Sequence, residues 1–256
     1  MKIKTALITG GASGIGKMTA YKLAEKGYQV VINYRTSESE AVLLAQNLTE
    51  TFGTKNIAVQ GDVANKEDCI RMVNQILTEY GTVEMIVHNA GPYIHERKKM
   101  TEYTFEEWNY LLQGNLSAVF YLSKLFIPGM RQQKWGRIIT LGFDRVETAP
   151  GWVYRSTFAA AKAGLASLTR TIAIEEAENG ITANMVSPGD IINEWKEKKI
   201  EEAVLSADQN TVKRQGTGED IARVITFLAD EKSDFITGSI IPVTGGIDVL
   251  GKIHKI

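Results

Sequence analysis

The chain has 256 residues, 44% of them apolar and 23% charged, which suits a globular protein with a sizeable core and excludes a disordered one. Lys and Arg number 29 against 30 Asp and Glu, a formal net charge of -1, which argues against a nucleic-acid binder and against electrostatic anchoring to an anionic membrane. No apolar run is long enough to span a bilayer, and Met1 to Thr5 carries no signal-peptide apolar stretch, so the expected location is the cytoplasm.

Short apolar runs alternate with longer segments of helical period. Ala6–Thr9 reads as a buried strand, followed by a helix over Gly14–Lys26 that Gly27 closes. Val30–Ile32 is the next strand and Glu38–Phe52 the next helix, closed by Gly53. Ile57–Gln60 and Met85–Val87 read as strands, with a helix over Lys66–Tyr80 between them. A long helical region covers Thr104–Met130. Ile138–Leu141 is a strand, Ser156–Glu178 a helix stopped by Gly180, and Thr182–Val186 a strand. Gly218–Ala229 reads as a helix and Ser239–Val243 as the last strand. Strand–helix alternation with uninterrupted apolar strands implies a parallel sheet covered on both faces, an α/β doubly wound fold. No linker or compositional break divides the chain, so residues 1–256 read as one domain. Periodicity is weakest from Asp190 to Gly216, which reads as a substrate-loop insertion over one end of the sheet. The single cysteine, Cys69, rules out an intrachain disulfide framework, and His88, His95 and His254 show no metal-ligand spacing, so no metal is expected.

The chemistry starts in the turn after the first strand, Gly10-Gly11-Ala12-Ser13-Gly14-Ile15-Gly16. Glycines permit a sharp turn and a close approach of phosphate oxygens, and the free N–H groups at a helix start stabilise an anion. A tight turn without a ligand is the plainer alternative, but the strand–turn–helix setting favours a phosphate site.

The spacing, Gly10 then three residues then Gly14-Ile15-Gly16, resembles that of the short-chain dehydrogenase/reductase family. The resemblance covers almost the whole chain. Asp62-Val63 resembles the family's adenine-contacting acid and its neighbour, and Asn89-Ala90-Gly91 its N-A-G turn, with His88 where another Asn is usual. Asn115 matches its catalytic Asn, Lys162 the Lys of its Y-x-x-x-K motif, and Pro188-Gly189 its nicotinamide-side turn. Ile236-Thr237-Gly238 and Thr244-Gly245-Gly246 resemble its C-terminal strand. The pattern is nearest the beta-ketoacyl-acyl carrier protein reductase branch. The resemblance implies a single seven-stranded Rossmann-type domain and a carbonyl or alcohol small-molecule substrate. It also implies a nicotinamide cofactor held by Gly10, Ser13, Gly14, Ile15, Gly16, Asp62, Val63, Asn89, Ala90, Gly91, Lys162, Pro188 and Gly189. A homodimer or homotetramer through the Thr104–Met130 and Ser156–Glu178 helices is implied as well.

An acid ending the second strand would accept from a ribose 2′-hydroxyl and favour NAD. Here Tyr34 occupies that position and Arg35 follows. A guanidinium can hold a 2′-phosphate through two hydrogen bonds, so NADP is expected over NAD.

Two catalytic groups of the family are missing. The Tyr-Lys pair of the motif lies on one helix face, where the cation favours tyrosinate. In this chain the motif reads Phe158-Ala159-Ala160-Ala161-Lys162, and Phe143 stands where the family's Ser is expected. Two substitutes are open. Tyr154 lies four residues before Phe158, one helical turn back if the helix starts that early, and reads first as a packing aromatic. Asp144 adjoins the missing Ser, and the related pteridine reductases place an Asp there; a solvated loop acid is the equal alternative. The third reading is a chain that binds cofactor without turnover, with Phe143 and Phe158 walling the nicotinamide.

On the substrate side, Asn193 replaces a family Thr, and Glu194, Lys196, Glu197, Lys198 and Lys199 read as a solvated helix face. Trp152, Trp195 and Phe143 offer aromatic surface. Arg131 and Lys134 could meet an acidic carrier, but Glu175, Glu176 and Glu178 oppose one, so an acyl-carrier substrate is not carried over. The leading expectation is an NADP-binding oxidoreductase with an altered active site; the alternative is a catalytically silent nucleotide-binding or scaffold protein.

Overall fold

The apolar runs become the strands of one parallel sheet. They are β1 (Thr5–Ile8), β2 (Gln29–Tyr34), β3 (Ile57–Gln60), β4 (Met85–His88), β5 (Gly136–Leu141), β6 (Ile181–Pro188) and β7 (Ile240–Val243). In the computed structural model, which describes residues 3–205 and 211–246, their order is β3-β2-β1-β4-β5-β6-β7. Every pairing is parallel, with Ile8 opposite both Ile32 and Val87 across the central strands. His254 lies outside the described residues.

Side chains alternate across a strand, so each run feeds two cores. Ala6, Ile8, Ile32, Val87 and Ile139 face one side. Leu7, Val31, Ile86 and Ile138 face the other. Helices α1 (Gly14–Glu25), α2 (Glu38–Phe52) and α7 (Gly218–Leu228) cover the first face with Leu23, Leu48 and Ile225. Helices α3 (Lys66–Tyr80), α5 (Ala118–Gln133) and α6 (Ser156–Glu176) cover the second with Ile76, Phe126 and Ile172. Two faces buried by helices explain why the strands read as continuous apolar runs rather than alternating ones.

The helix ends follow local chemistry. Asn65 accepts from the Asp68 amide and starts α3, and Thr104 accepts from the Glu107 amide and starts α4 (Phe105–Leu112). Gly53 and Gly81 end α2 and α3 at φ 70° and 74°, the left-handed conformation that favours glycine. The helical region expected over Thr104–Met130 is real but interrupted: a π-helical turn, Gln113–Ser117, separates α4 from α5. That turn is the site of Asn115. β6 runs on to Pro188, two residues past the expected end, because Gly189 N still donates to the Val243 carbonyl.

Residues 190–216 form no long element among the described residues. They contain two 3-10 turns, Asn193–Glu197 and Ile200–Glu202, and an isolated bridge between Leu205 and Arg214. No described helix is long and apolar enough to cross a membrane.

Neighbouring β1 and β4 send their following chains to opposite faces of the sheet. Such a switch point opens a crevice beyond the C-terminal ends of the strands, where ligands of this architecture bind. The glycine turn follows β1 and the Asn89-Ala90-Gly91 turn follows β4, so the fold brings these two motifs together.

Candidate active site

The glycine turn and the Asn89 turn are locked to each other. Asn89 Nδ2 donates to the carbonyls of Thr9 and Gly10 at 2.9 and 3.0 Å. Thr9 Oγ1 accepts from the Asn89 and Ala90 amides at 3.0 and 2.9 Å. Gly10 and Gly14 take φ of 60° and 59°, conformations costly for any residue with a Cβ. At Gly16 the constraint is space: a Cβ there would stand 2.5 Å from the Gly10 carbonyl oxygen and 2.7 Å from Asn89 Nδ2. Ser13 has extended backbone at the N-terminus of α1, and its side chain makes no capping bond, so the amides at the helix start are left to partners other than Ser13.

Beside this turn lies a cleft of about 240 Å³ lined by Gly10, Asn33, Arg35, Asp62, Val63 and Tyr110 among others. Arg35 reaches Asp62 at 3.8 Å and hydrogen-bonds the Tyr110 hydroxyl. Tyr34 does not share the cleft. Its side chain packs in the first core beside Glu38, and burial first, then that carboxylate, push its hydroxyl above the ordinary range. Alternation along β2 explains the split: consecutive side chains point opposite ways, so Arg35 rather than Tyr34 meets the cleft. Asn33 is an addition to the expected set. It is buried, its Oδ1 accepts from the Gly10 amide at 3.2 Å, and its Nδ2 donates to the Gly61 carbonyl at 3.0 Å. A polar residue ending the apolar run Val30-Val31-Ile32 was the signal for it.

On the other side of β4 the Phe residues meet. Phe158 lies on α6 and Phe143 follows β5, with ring centroids 6.3 Å apart. Trp152 packs on Phe143 at 4.9 Å and Tyr93 stands edge-on to Phe158 at 5.0 Å. Arg155 stacks over Tyr93 and donates to the carbonyls of His95 and Glu96, which ties the loop after β4 to the start of α6. Lys162 lies one turn along α6 from Phe158, with Nζ 5.6 Å from its ring centroid. That Nζ donates to the Leu141 carbonyl at 2.8 Å, and burial pushes the ammonium down to about 8. His88 is buried nearby with Nε2 3.4 Å from the Ser123 hydroxyl; burial, then the Lys162 charge, hold it down to about 3.

The π-helical turn places Asn115 against the Asn89 turn. Its Nδ2 donates to the carbonyls of Pro92 and Leu111 at 2.8 and 3.0 Å. Its Oδ1 is buried without a hydrogen-bond partner and sits where a Cβ on Gly91 would be, 2.3 Å away. Leaving such an oxygen unpaired costs about 1–3 kcal/mol unless water or a ligand donates to it. Pro188-Gly189 ends β6 opposite β7, and Gly189 is held so close to Thr244 that a Cβ would meet its Cα at 2.7 Å.

The two expected substitutes part company. α6 begins at Ser156, so Tyr154 lies outside the helix in a left-handed conformation, φ 64°. It therefore does not share the face of Phe158, and its carbonyl, not its hydroxyl, is held, by the Tyr103 hydroxyl and by Arg155. Asp144 is not a solvated acid: only 7% of it is exposed, and Arg145 approaches it at 3.9 Å. The segment from Asp144 to Trp152 carries two left-handed non-glycine residues, Arg145 and Ala149, a conformation seldom adopted away from sites that require it. Glu197 also departs from expectation. It is not part of a solvated face; its carboxylate accepts from the Gly14 amide and pairs with Lys17.

Comparison with known proteins agrees with this geometry. A family model described as enoyl-(acyl carrier protein) reductase matches residues 10–248. A Bacillus subtilis (strain 168) protein with the name "Putative oxidoreductase YtkK" is 50% identical over 252 residues, 98% of each chain. The 3-oxoacyl-(acyl-carrier-protein) reductase of Staphylococcus epidermidis is 34% identical over 247 residues, covering 95% of this chain and 98% of that one. A solved Bacillus thuringiensis structure, titled as that of a "putative 3-oxoacyl-reductase", superposes with a TM-score of 0.89 at 49% identity, over 97% of this chain and 100% of that one. The order of strands, the locked glycine turn and these matches along nearly the whole length place the chain in the short-chain dehydrogenase/reductase family, close to the 3-oxoacyl-(acyl-carrier-protein) reductases.

Proposed function

We propose that the chain binds a nicotinamide dinucleotide, NADP(H) in preference to NAD(H), and exchanges hydride with a small carbonyl or alcohol substrate at an altered active site. The observation that carries this reading is the cradle itself. The Gly10, Gly14 and Gly16 turn is locked to Asn89, and Asn115 Oδ1 is buried and unpaired beside it; the backbone is packed so closely here that a Cβ at Gly16 or Gly91 would collide with it or with Asn115. In this reading Gly10, Ser13, Gly14, Ile15 and Gly16 hold the phosphates; Asp62 and Val63 border the adenine; Asn89, Ala90, Gly91, Lys162, Pro188 and Gly189 hold the nicotinamide end. Arg35 supports the NADP preference, being exposed at the cleft with a 3.8 Å approach to Asp62 and no acid at position 34.

A reduced nicotinamide, when bound, supplies the hydride. The residues must supply the proton that the developing alkoxide takes. Phe158 and Phe143 have none to give. Lys162, Asp144 and His88 are ionisable groups buried at this end of the sheet, His88 held neutral by burial and by the Lys162 charge, and Asn115 presents a buried acceptor that can order a water. A second reading, a chain that binds the dinucleotide without turnover, is favoured by the aromatic packing of Phe143, Trp152 and Phe158 across the position of the missing hydroxyls.

Titration with NADPH and NADH, followed by cofactor fluorescence or calorimetry, tests the proposal. NADPH is expected to bind the tighter of the two. Tighter NADH binding overturns the cofactor preference, and no binding of either overturns the whole reading. A panel of ketones and acetoacetyl esters with bound NADPH then separates turnover from silent binding.

A further inference from the structure

The cradle at the start of α1 already holds an anion, and the chain supplies it. The Gly14 amide donates to Glu197 Oε1 at 2.8 Å, and Lys17 Nζ donates to Glu197 Oε2 at 2.7 Å. Burial works against a charge on Glu197, but the Gly14 amide and the Lys17 ammonium outweigh it and hold the carboxyl below its ordinary range. The carboxylate thus uses the turn's outward amide and the positive end of the helix, the features that favour a phosphate there.

The segment that presents Glu197 is seated on the fold. It is a 3-10 turn, Asn193–Glu197, whose first residue takes a left-handed φ of 49°. Trp195 packs against the core beneath α1. The start of α7 fixes the next residue, since a Cβ on Gly218 would stand 1.9 Å from the Lys196 carbonyl oxygen. Further on, the Ile200 amide donates to Glu219 Oε2 at 2.8 Å, and Glu219 pairs with Lys22 of α1 at 2.8 Å. Glu197 is therefore delivered by a strap tied to α1 and α7, not by a loose surface side chain.

We infer that Glu197 is a built-in occupant of the phosphate cradle, which the dinucleotide must displace in order to bind. The inference rests on the cofactor reading above. The Gly14 N–H cannot serve two anions at once, and a carboxylate beside a diphosphate adds like-charge repulsion at short range. A diphosphate prevails because it brings more charge and more acceptor oxygens to the same amides. The strap continues into the insertion on the substrate side, so cofactor arrival releases residues 193–197 and reshapes that side. Free protein and cofactor-bound protein then differ in which anion α1 holds.

Glu197→Gln, which keeps the shape and removes the charge, and Glu197→Ala, which removes the acceptor, test this against the parent by NADPH titration and by hydrogen exchange on the free proteins. Both variants are expected to bind NADPH more tightly, on the order of tenfold, the scale of losing one favourable charge at a helix start. In the free parent the Gly14 amide is expected to be protected, and Glu197→Ala to expose it. Equal or weaker NADPH binding by both folded variants overturns the inference and leaves the cofactor reading standing. An unprotected Gly14 amide in the free parent also overturns it, with no ligand needed. If parent and variants alike bind no NADPH, the cofactor reading falls and the inference falls with it.

Discussion

In the proposed function, Phe158 decides which chemistry is open to this chain. Its ring lies where a hydroxyl would face Lys162, and the three alanines between them keep the helical frame intact. Adding the hydroxyl is thus a local change, while Phe143 still lacks one for orienting a carbonyl. Phe158→Tyr together with Phe143→Ser is expected to create or raise NADPH-dependent ketone reduction by roughly a hundredfold, the usual worth of a positioned general acid. Steady-state cofactor absorbance at equal NADPH occupancy measures it. A folded, NADPH-bound double variant with no gain across a ketone panel would mean that the pocket no longer suits this reaction. His88 gives the folded protein a pH dependence of its own. Burial, then Lys162, lower it from 6.5 to about 3, so the folded protein binds fewer protons than the unfolded chain between those values. Stability conferred by the neutral imidazole is present above pH 6.5 and is lost as pH falls toward 3, up to about 5 kcal/mol on integration. His88→Asn removes this dependence. Urea unfolding from pH 7 to 4 is expected to show a shallower loss for the variant than for the parent; parallel slopes would rule the imidazole out as the source.

The first turn and α1 show how far an element can be read from its residues. The glycine spacing announced a phosphate turn, yet Gly14 and Gly16 serve different ends. Gly14 needs its left-handed backbone, and a Cβ there meets only Lys196 side-chain atoms at 3.7 Å or more. Gly16 needs its missing side chain, because a Cβ strikes backbone at 2.5 Å. Gly14→Ala is therefore expected to fold with a loss of about 1 kcal/mol, whereas Gly16→Ala shifts the turn from Asn89, costs more stability and loses NADPH binding. Thermal melts and cofactor titration of the two variants check the order, and a reversal would sink this division of roles. Strand and helix positions were legible because continuous apolar runs and capping residues are local signals. The π-helical turn at Asn115 was not: Gln113-Gly114-Asn115-Leu116-Ser117 fits helical periodicity, and only packing against Pro92 and Leu111 shows the widened turn. Glu197 escaped for the same reason. Among alternating Glu and Lys it reads as solvated, and its contact with Gly14 spans 183 residues that only the fold brings together.

At the scale of the whole molecule, the outer faces of α4, α5 and α6 remain unaccounted for by a single chain. Phe105 on α4 is 86% exposed, Phe120 on α5 50%, and Ile174 on α6 80%. Isolated exposed apolar residues are ordinary, but large aromatics repeated along helices mark surfaces that association covers. The Thr104–Met130 and Ser156–Glu178 regions were the expected contact helices, and these residues lie within them. None of the three belongs to the buried clusters, so changing them leaves the core untouched. The parent is expected to sediment as a dimer or tetramer at micromolar concentration. Phe105→Asp with Phe120→Asp is expected to shift it to a smaller species with unchanged far-ultraviolet dichroism, because a closed symmetric contact repeats each lost aromatic and each new charge on both partners. The charges then face each other across the contact, so the penalty grows with the number of copies assembled. A parent that sediments as a monomer, or a double variant that keeps the parent's size, would assign these aromatics to another role and leave the assembly to other surfaces, such as the one around the fully exposed Phe235.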